Sequence, residues 1–130
     1  MSGFDEPARR YLASWNERDP VRRRALVDAL WTDDAGYVDP ITAAEGRDAV
    51  EEVMATAQRQ FPGLVYRPAG KADGHHGVAR LGWELAPDGG PAVIVGLAVM
   101  VTERSRLRRL HGFLDPVPQS PPHQEPDVDT

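Results

Sequence analysis

Asp33-Asp34-Ala35-Gly36-Tyr37-Val38-Asp39-Pro40 is the stretch on which the reading of this chain turns. It reads as a short apolar strand that ends on an aspartate locked before a proline. Pro40 fixes its own φ and pushes the preceding residue toward extended geometry. Asp39 is thereby one aimed carboxylate at a strand end, and such a group at the wall of an apolar cavity is a candidate general base. Asp before Pro is also common in turns, where it caps backbone N–H groups. Both readings of Asp39 stand on sequence alone. Tyr37, two residues earlier, points to the same side of the strand and is a candidate hydroxyl donor.

Two helical patterns precede this strand. Phe4, Ala8, Tyr11, Leu12 and Trp15 recur at three- and four-residue steps, the face of an amphipathic helix. Asp19-Pro20 is an N-cap followed by proline at the first helical position. It opens a second helix that turns Leu26, Val27, Leu30 and Trp31 inward. The Arg22-Arg23-Arg24 run reads as its solvated face. A third helix starts near Gly46, buries Val50, Val53, Met54, Ala57 and Phe61, and stops at Pro62-Gly63.

Period two takes over beyond Gly63. Leu64 to Lys71 reads as a strand near an edge, because Pro68 cannot donate to a ladder. His75 to Ala86 reads as one long strand, and Pro87-Asp88-Gly89-Gly90-Pro91 as a turn. Ala92 to Thr102 lacks polar alternation and reads as buried on both faces. Arg106 to Asp115 returns as the last strand. Consecutive hairpin-linked strands imply an antiparallel meander, and helices followed by strands imply an α+β layout with the helices on one side.

Fifteen basic and twenty acidic residues leave a net charge of −5, which disfavours nucleic acid as a partner. With no cysteine, disulfides, thiol nucleophiles and cysteine-ligated zinc are excluded, and a cytoplasmic location is the expectation. The N-terminus shows no apolar signal core, and the longest apolar run, Ala92 to Val101, is about half of what a membrane-spanning helix needs. No metal site is expected. His75 and His76 are adjacent, so on a strand they diverge, and no third ligand has suitable spacing. No cofactor is expected either, since neither a Gly-rich phosphate loop nor a G-x-S-x-G element occurs.

Several strings in this order resemble the nuclear transport factor 2-like superfamily, in particular its SnoaL-like and ketosteroid-isomerase-like branches. They are Arg10-Tyr11-Leu12-Ala13-Ser14-Trp15-Asn16 with Asp19, Asp33-Asp34-Ala35 leading to Val38-Asp39-Pro40, Gly46, Phe61-Pro62-Gly63, and Trp83-Glu84. The resemblance covers roughly Phe4 to Asp115. It implies a cone-shaped, cystatin-like α+β roll, with three N-terminal helices packed on a curved antiparallel sheet. The domain would run over 1–115, and 116–130, rich in proline and acid, would be a disordered tail. It also implies a homodimer through the outer sheet face, where Arg80 and Glu84 would form cross-strand ion pairs at the interface.

In the ketosteroid isomerases a tyrosine on the first helix donates a hydrogen bond to the developing enolate oxygen, and the aspartate of the Asp-Pro element shuttles the proton. By position these become Tyr11 and Asp39. Matching Trp83 to an aromatic of the isomerase pocket turns His75, Leu81 and Trp83 toward the cavity. Trp15 and Tyr37 would join its wall, with Leu97, Leu110 and Leu114 from the last two strands. A register slip of one residue would bring in His111 and Asp115 instead. One departure stands out. The isomerases place a second, protonated acid on the strand matching Ala92–Thr102, and here Val93 to Val101 contains nothing that ionises.

Three functions follow from this sequence. The first is a SnoaL-like enzyme, isomerase- or cyclase-like, doing acid–base chemistry on a small hydrophobic, cyclic carbonyl compound. The second is a noncatalytic module that binds such a ligand. The third is a dimerisation scaffold with a filled core.

Overall fold

A computed structural model describes residues 4–116. Three helices come first and are interrupted once by strands. They are α1 (Asp5–Asn16), α2 (Pro20–Leu30) and α3 (Arg47–Gln60), with β1 (Trp31–Val38) and β2 (Ala43–Glu45) between the last two. The strands β3 (Leu64–Pro68), β4 (Asp73–His75), β5 (Val78–Pro87), β6 (Ile94–Glu103) and β7 (Arg106–Asp115) follow. This is the expected α+β fold, with one difference in the sheet. Its order is β2-β1-β7-β6-β5-β3, with β4 on β5, and β1 runs parallel to β7 while every other pairing is antiparallel. The sheet is mixed because α3 and five strands intervene before β7 comes to lie alongside β1.

Local chemistry explains the element boundaries. The Asp19 carboxylate accepts the Arg22 N–H at 2.9 Å, and Pro20 opens α2. Gly46 adopts φ 89°, a conformation other residues rarely take, and there the chain leaves β2 and enters α3. Ala8, Tyr11, Leu12 and Trp15 of α1 are buried, and Val50, Met54 and Ala55 of α3 with them. Trp31 is the hinge between α2 and β1 and is fully buried. It ends the helix rather than extending it, because its backbone is already extended.

Two expectations need correction here. Arg23 is not on a solvated face. Its guanidinium is buried, bonded to Glu51 at 2.8 Å and to Gln58 at 2.7 Å. Gln58 in turn donates to the carbonyls of Trp15 and Glu17, both at 2.8 Å. The end of α1 leaves carbonyls without intrahelical partners, and this network satisfies them. A run of three arginines on a helix cannot all face one way, and Arg23 falls on the α3 side. The second correction concerns 75–86. The chain turns at His76 (φ 51°) and Gly77 (φ 79°), so β4 and β5 form a hairpin in place of one long strand.

The expected tail from Pro116 lies outside the described residues, Pro116 itself excepted. Among the described residues no helix is long and apolar enough to cross a membrane.

Candidate functional site

The inner face of the sheet changes character along its length. One rung across it, Ala79–Met100–Leu110, is packed solid, and all three side chains are buried. Four residues along, the equivalent rung reads Trp83–Gly96–Leu114. A Cβ on Gly96 would lie 2.3 Å from the Trp83 ring, so the indole lies over the glycine. Between these rungs Gly112 leaves room for Asp39, whose Cβ would sit 3.2 Å from a Cβ placed there. The result is a cavity of about 400 Å³ between the sheet, α1 and α3. That lies in the range of small-molecule sites.

The Asp39 carboxylate is fixed at this wall by three hydrogen bonds. Oδ1 accepts the backbone N–H groups of Ile41 (2.8 Å) and Thr42 (2.9 Å), and Oδ2 accepts the Tyr37 hydroxyl at 2.6 Å. The Asp39 N–H closes the turn by donating to the Thr42 carbonyl at 2.9 Å. The turn-capping reading and the cavity reading are therefore both met, one by each oxygen. The cap aims the carboxylate, and Oδ2 faces the aromatic wall.

All three tyrosines of the chain, Tyr11, Tyr37 and Tyr66, line the cavity. Burial pushes each phenol above its ordinary pKa, and the nearby Asp39 charge adds to the shift, placing Tyr66 at about 12 and the other two higher. All three are thus neutral hydroxyls at physiological pH. Tyr37 has committed its proton to Asp39, whereas the hydroxyls of Tyr11 and Tyr66 make no side-chain hydrogen bond among the described residues. Trp15 stands one helical turn beyond Tyr11, edge-on to it, with centroids 6.1 Å apart. Its buried Nε1–H stands on the Tyr11 side and opposes the Tyr11 shift as a hydrogen-bond donor does, without reaching full hydrogen-bond geometry with any partner among the described residues.

Tyr66 reaches the site through a side-chain imitation of strand pairing. The Asn16 amide donates to the Tyr66 carbonyl and accepts its N–H, both at 2.8 Å. This pins β3 to the end of α1.

Of the residues expected at the site, the structure brings together Tyr11, Trp15, Tyr37, Asp39, Trp83 and Leu114. Four others lie elsewhere. Leu81 and Leu110 face inward as expected but belong to the packed core, at 2% and 1% exposure, because they sit too far along their strands to reach the cavity. Leu97 is on the outer face, since the inward set of β6 is Gly96, Ala98 and Met100. His75 is exposed on β4, beyond the His76-Gly77 turn that cuts the long strand. The alternative register for β7 is also excluded, because His111 and Asp115 are exposed and Gly112 and Leu114 line the cavity. Sequence reasoning missed Tyr66 and Ile94 as wall residues. It placed Val53, Ala57 and Phe61 on the buried face of α3 but not against a cavity. Their period marked an inward face. Nothing local marked the depth at which that face opens.

The SnoaL-like domain family matches residues 8–110. The chain belongs to the SnoaL-like family of the nuclear transport factor 2-like superfamily. A solved structure from Agrobacterium tumefaciens, named as a candidate isomerase of this SnoaL-like family, is 37% identical. It superposes with a TM-score of 0.81 over 85% of this chain and 96% of its own. More distant solved structures show the fold alone. One from Sinorhizobium meliloti, named as a candidate polyketide cyclase, is 14% identical with a TM-score of 0.65 over 82% of this chain and 93% of its own. One from Catenulispora acidiphila, with a ketosteroid isomerase-like fold, was solved in complex with trimethylamine. It is 15% identical with a TM-score of 0.69 over 86% of this chain and 85% of its own. Among curated proteins none matches.

Among the described residues no group of three or more His, Asp or Glu stands where it could hold a metal ion. The outer-face charges pair across strands as expected: Arg80 of β5 with Asp73 of β4 at 2.9 Å, and Glu84 of β5 with Arg67 of β3 at 2.6 Å.

Proposed function

We propose that this SnoaL-like protein is an enzyme that moves a proton on a hydrophobic, cyclic carbonyl compound held in the cavity. Asp39 Oδ2 takes the proton from the carbon beside the carbonyl, and the bonding electrons move onto the carbonyl oxygen. Tyr11 Oη donates a hydrogen bond to that oxygen, a role left to it because the Tyr37 proton is engaged. Return of the proton to a different carbon completes an isomerisation. The observation that carries the reading is the Tyr37–Asp39 contact of 2.6 Å in the wall of an otherwise aromatic and aliphatic cavity.

The test does not depend on the identity of the substrate. A panel of cyclic ketones in D2O is followed by NMR for loss of the protons beside the carbonyl. Wild-type protein is expected to accelerate exchange for part of the panel. Asp39→Asn, which keeps the turn cap, should slow that exchange by about 10²–10⁴-fold. An Asp39→Asn protein that exchanges as fast as wild type would sink the proposal.

A second reading, a binding module without chemistry, is favoured by one observation. The inward side chains of β6 beyond Ile94 are Gly96, Ala98 and Met100, so this strand supplies no acid. Ligand binding without exchange is its signature. In either case we expect a cytoplasmic homodimer, joined through the apolar, half-buried outer residues Val95, Leu97, Val99 and Val101 of β6. Sedimentation at micromolar concentration checks the dimer.

A further inference from the structure

The cavity wall holds a file of aromatic rings next to a carboxylate that has no cation. Trp15 lies 5.8 Å from Tyr37 and 5.2 Å from Tyr66, and Tyr66 lies 5.6 Å from Trp83, all between ring centroids. Tyr66 and Trp83 are only half-buried, and both line the space. The Asp39 carboxylate stands at the same wall, hydrogen-bonded to a neutral phenol and two backbone amides. It takes part in none of the ion pairs among the described residues. The wall contains no lysine, arginine or histidine, and its other acid, Glu52, is paired with Arg59 at 3.2 Å.

These features point one way electrostatically. Aromatic faces are negative and attract cations lying within about 6 Å of the ring centroid, most strongly where water is excluded. A partly buried carboxylate without a counter-ion is costly, and a cation that arrives beside it relieves the cost. An anion would meet the Asp39 carboxylate and four electron-rich rings; Arg59 is already paired with Glu52, and Arg18, whose charge reaches Tyr66, lies outside the lining and is held by the Gln58 and Leu64 carbonyls.

From this we infer that the ligand of the cavity carries a protonated or quaternary amine, with its nitrogen over the Tyr66 and Trp83 rings and Asp39 as its counter-ion. The inference rests on the cavity being the ligand site described above, and it adds the ligand's charge to that reading. The two roles of Asp39 are chemically compatible, because an ammonium group attached near the carbon being deprotonated makes its C–H more acidic. Carboxylates, phosphates and sulfonates are excluded as ligand head groups.

Three probes of near-equal size separate charge from shape. They are phenyltrimethylammonium, its uncharged isostere tert-butylbenzene, and the anion benzenesulfonate. Binding to the wild-type protein is followed by NMR and by tryptophan fluorescence. The cation is expected to bind at least about tenfold more tightly than the isostere, and the anion not at all. Asp39→Asn should reduce the cation's advantage severalfold. Equal or tighter binding of tert-butylbenzene, binding of benzenesulfonate, or no binding by any probe overturns the inference. Ketone exchange is scored separately. Proton washout that is confined to neutral ketones, together with no preference for the cation, overturns the amine and leaves the proton transfer standing.

Discussion

The two ends of the inner sheet face are built on the same strands and do opposite things. At one end Met100 and Leu110 face each other across the β6–β7 ladder and are fully buried against the helices. At the other, Gly96 takes the place of Met100, Gly112 opens the rung between, and the space released holds the Trp83 ring, the Asp39 carboxylate and the cavity. Both ends have the same inward period. What differs is side-chain volume, so a sheet that makes a core at one end makes a binding site at the other. Stability should reside at the packed end and ligand recognition at the open one.

Single substitutions put that contrast at risk. The largest effect is expected from Met100→Ala, which empties a fully buried position and should cost about 2–5 kcal/mol in chemical denaturation. A loss below about 1 kcal/mol would mean that this end is not a filled core. Tyr37→Phe comes next. It removes the 2.6 Å bond to the Asp39 carboxylate and should cost about 1.5–3 kcal/mol, since bonds to charged groups lie in that range. It should also weaken any effect that depends on the aim of Asp39.

Gly112→Ala is expected to move stability by no more than about 1 kcal/mol. The added methyl gains from reduced freedom of the unfolded chain and loses against the Asp39 Cβ at 3.2 Å. Its signature should be functional, as slower ketone exchange or weaker probe binding. If Gly112→Ala costs as much as Met100→Ala, both ends are core and the contrast fails.

The smallest effect is nil at neutral pH and appears only in alkali. Tyr66 titrates at about 12 in the folded protein, raised by burial and then by the Asp39 charge, against about 10 when unfolded. Stability from this group is complete below pH 10 and is lost as pH rises through 12, because the unfolded chain gives up its proton first. With Tyr11 and Tyr37 shifted the same way, absorbance at 295 nm should show little tyrosinate in the folded protein at pH 10.5. Denatured chain at the same pH should show most of it. Early ionisation of one tyrosine would reveal a wall open to bulk water.

Local sequence was enough for the elements and much of their order. Asp19-Pro20, Gly46 and Pro62-Gly63 are signals complete within four residues of chain; α2 begins at the first, and α3 begins and ends at the other two. β7 occupies Arg106–Asp115 as its alternation indicated. Asp39 was legible because proline restricts the residue before it regardless of context. The rest arose only in the assembled fold. The parallel pairing of β1 with β7 depends on where distant segments come to lie. The register across β6 put Leu97 outside, and the position along the taper made Leu81 and Leu110 core while Trp83 and Leu114 became wall. Periodicity fixes which face a side chain takes. How far that face lies from the nearest helix is a property of the whole assembly, and that distance separates a packed leucine from the wall of a cavity.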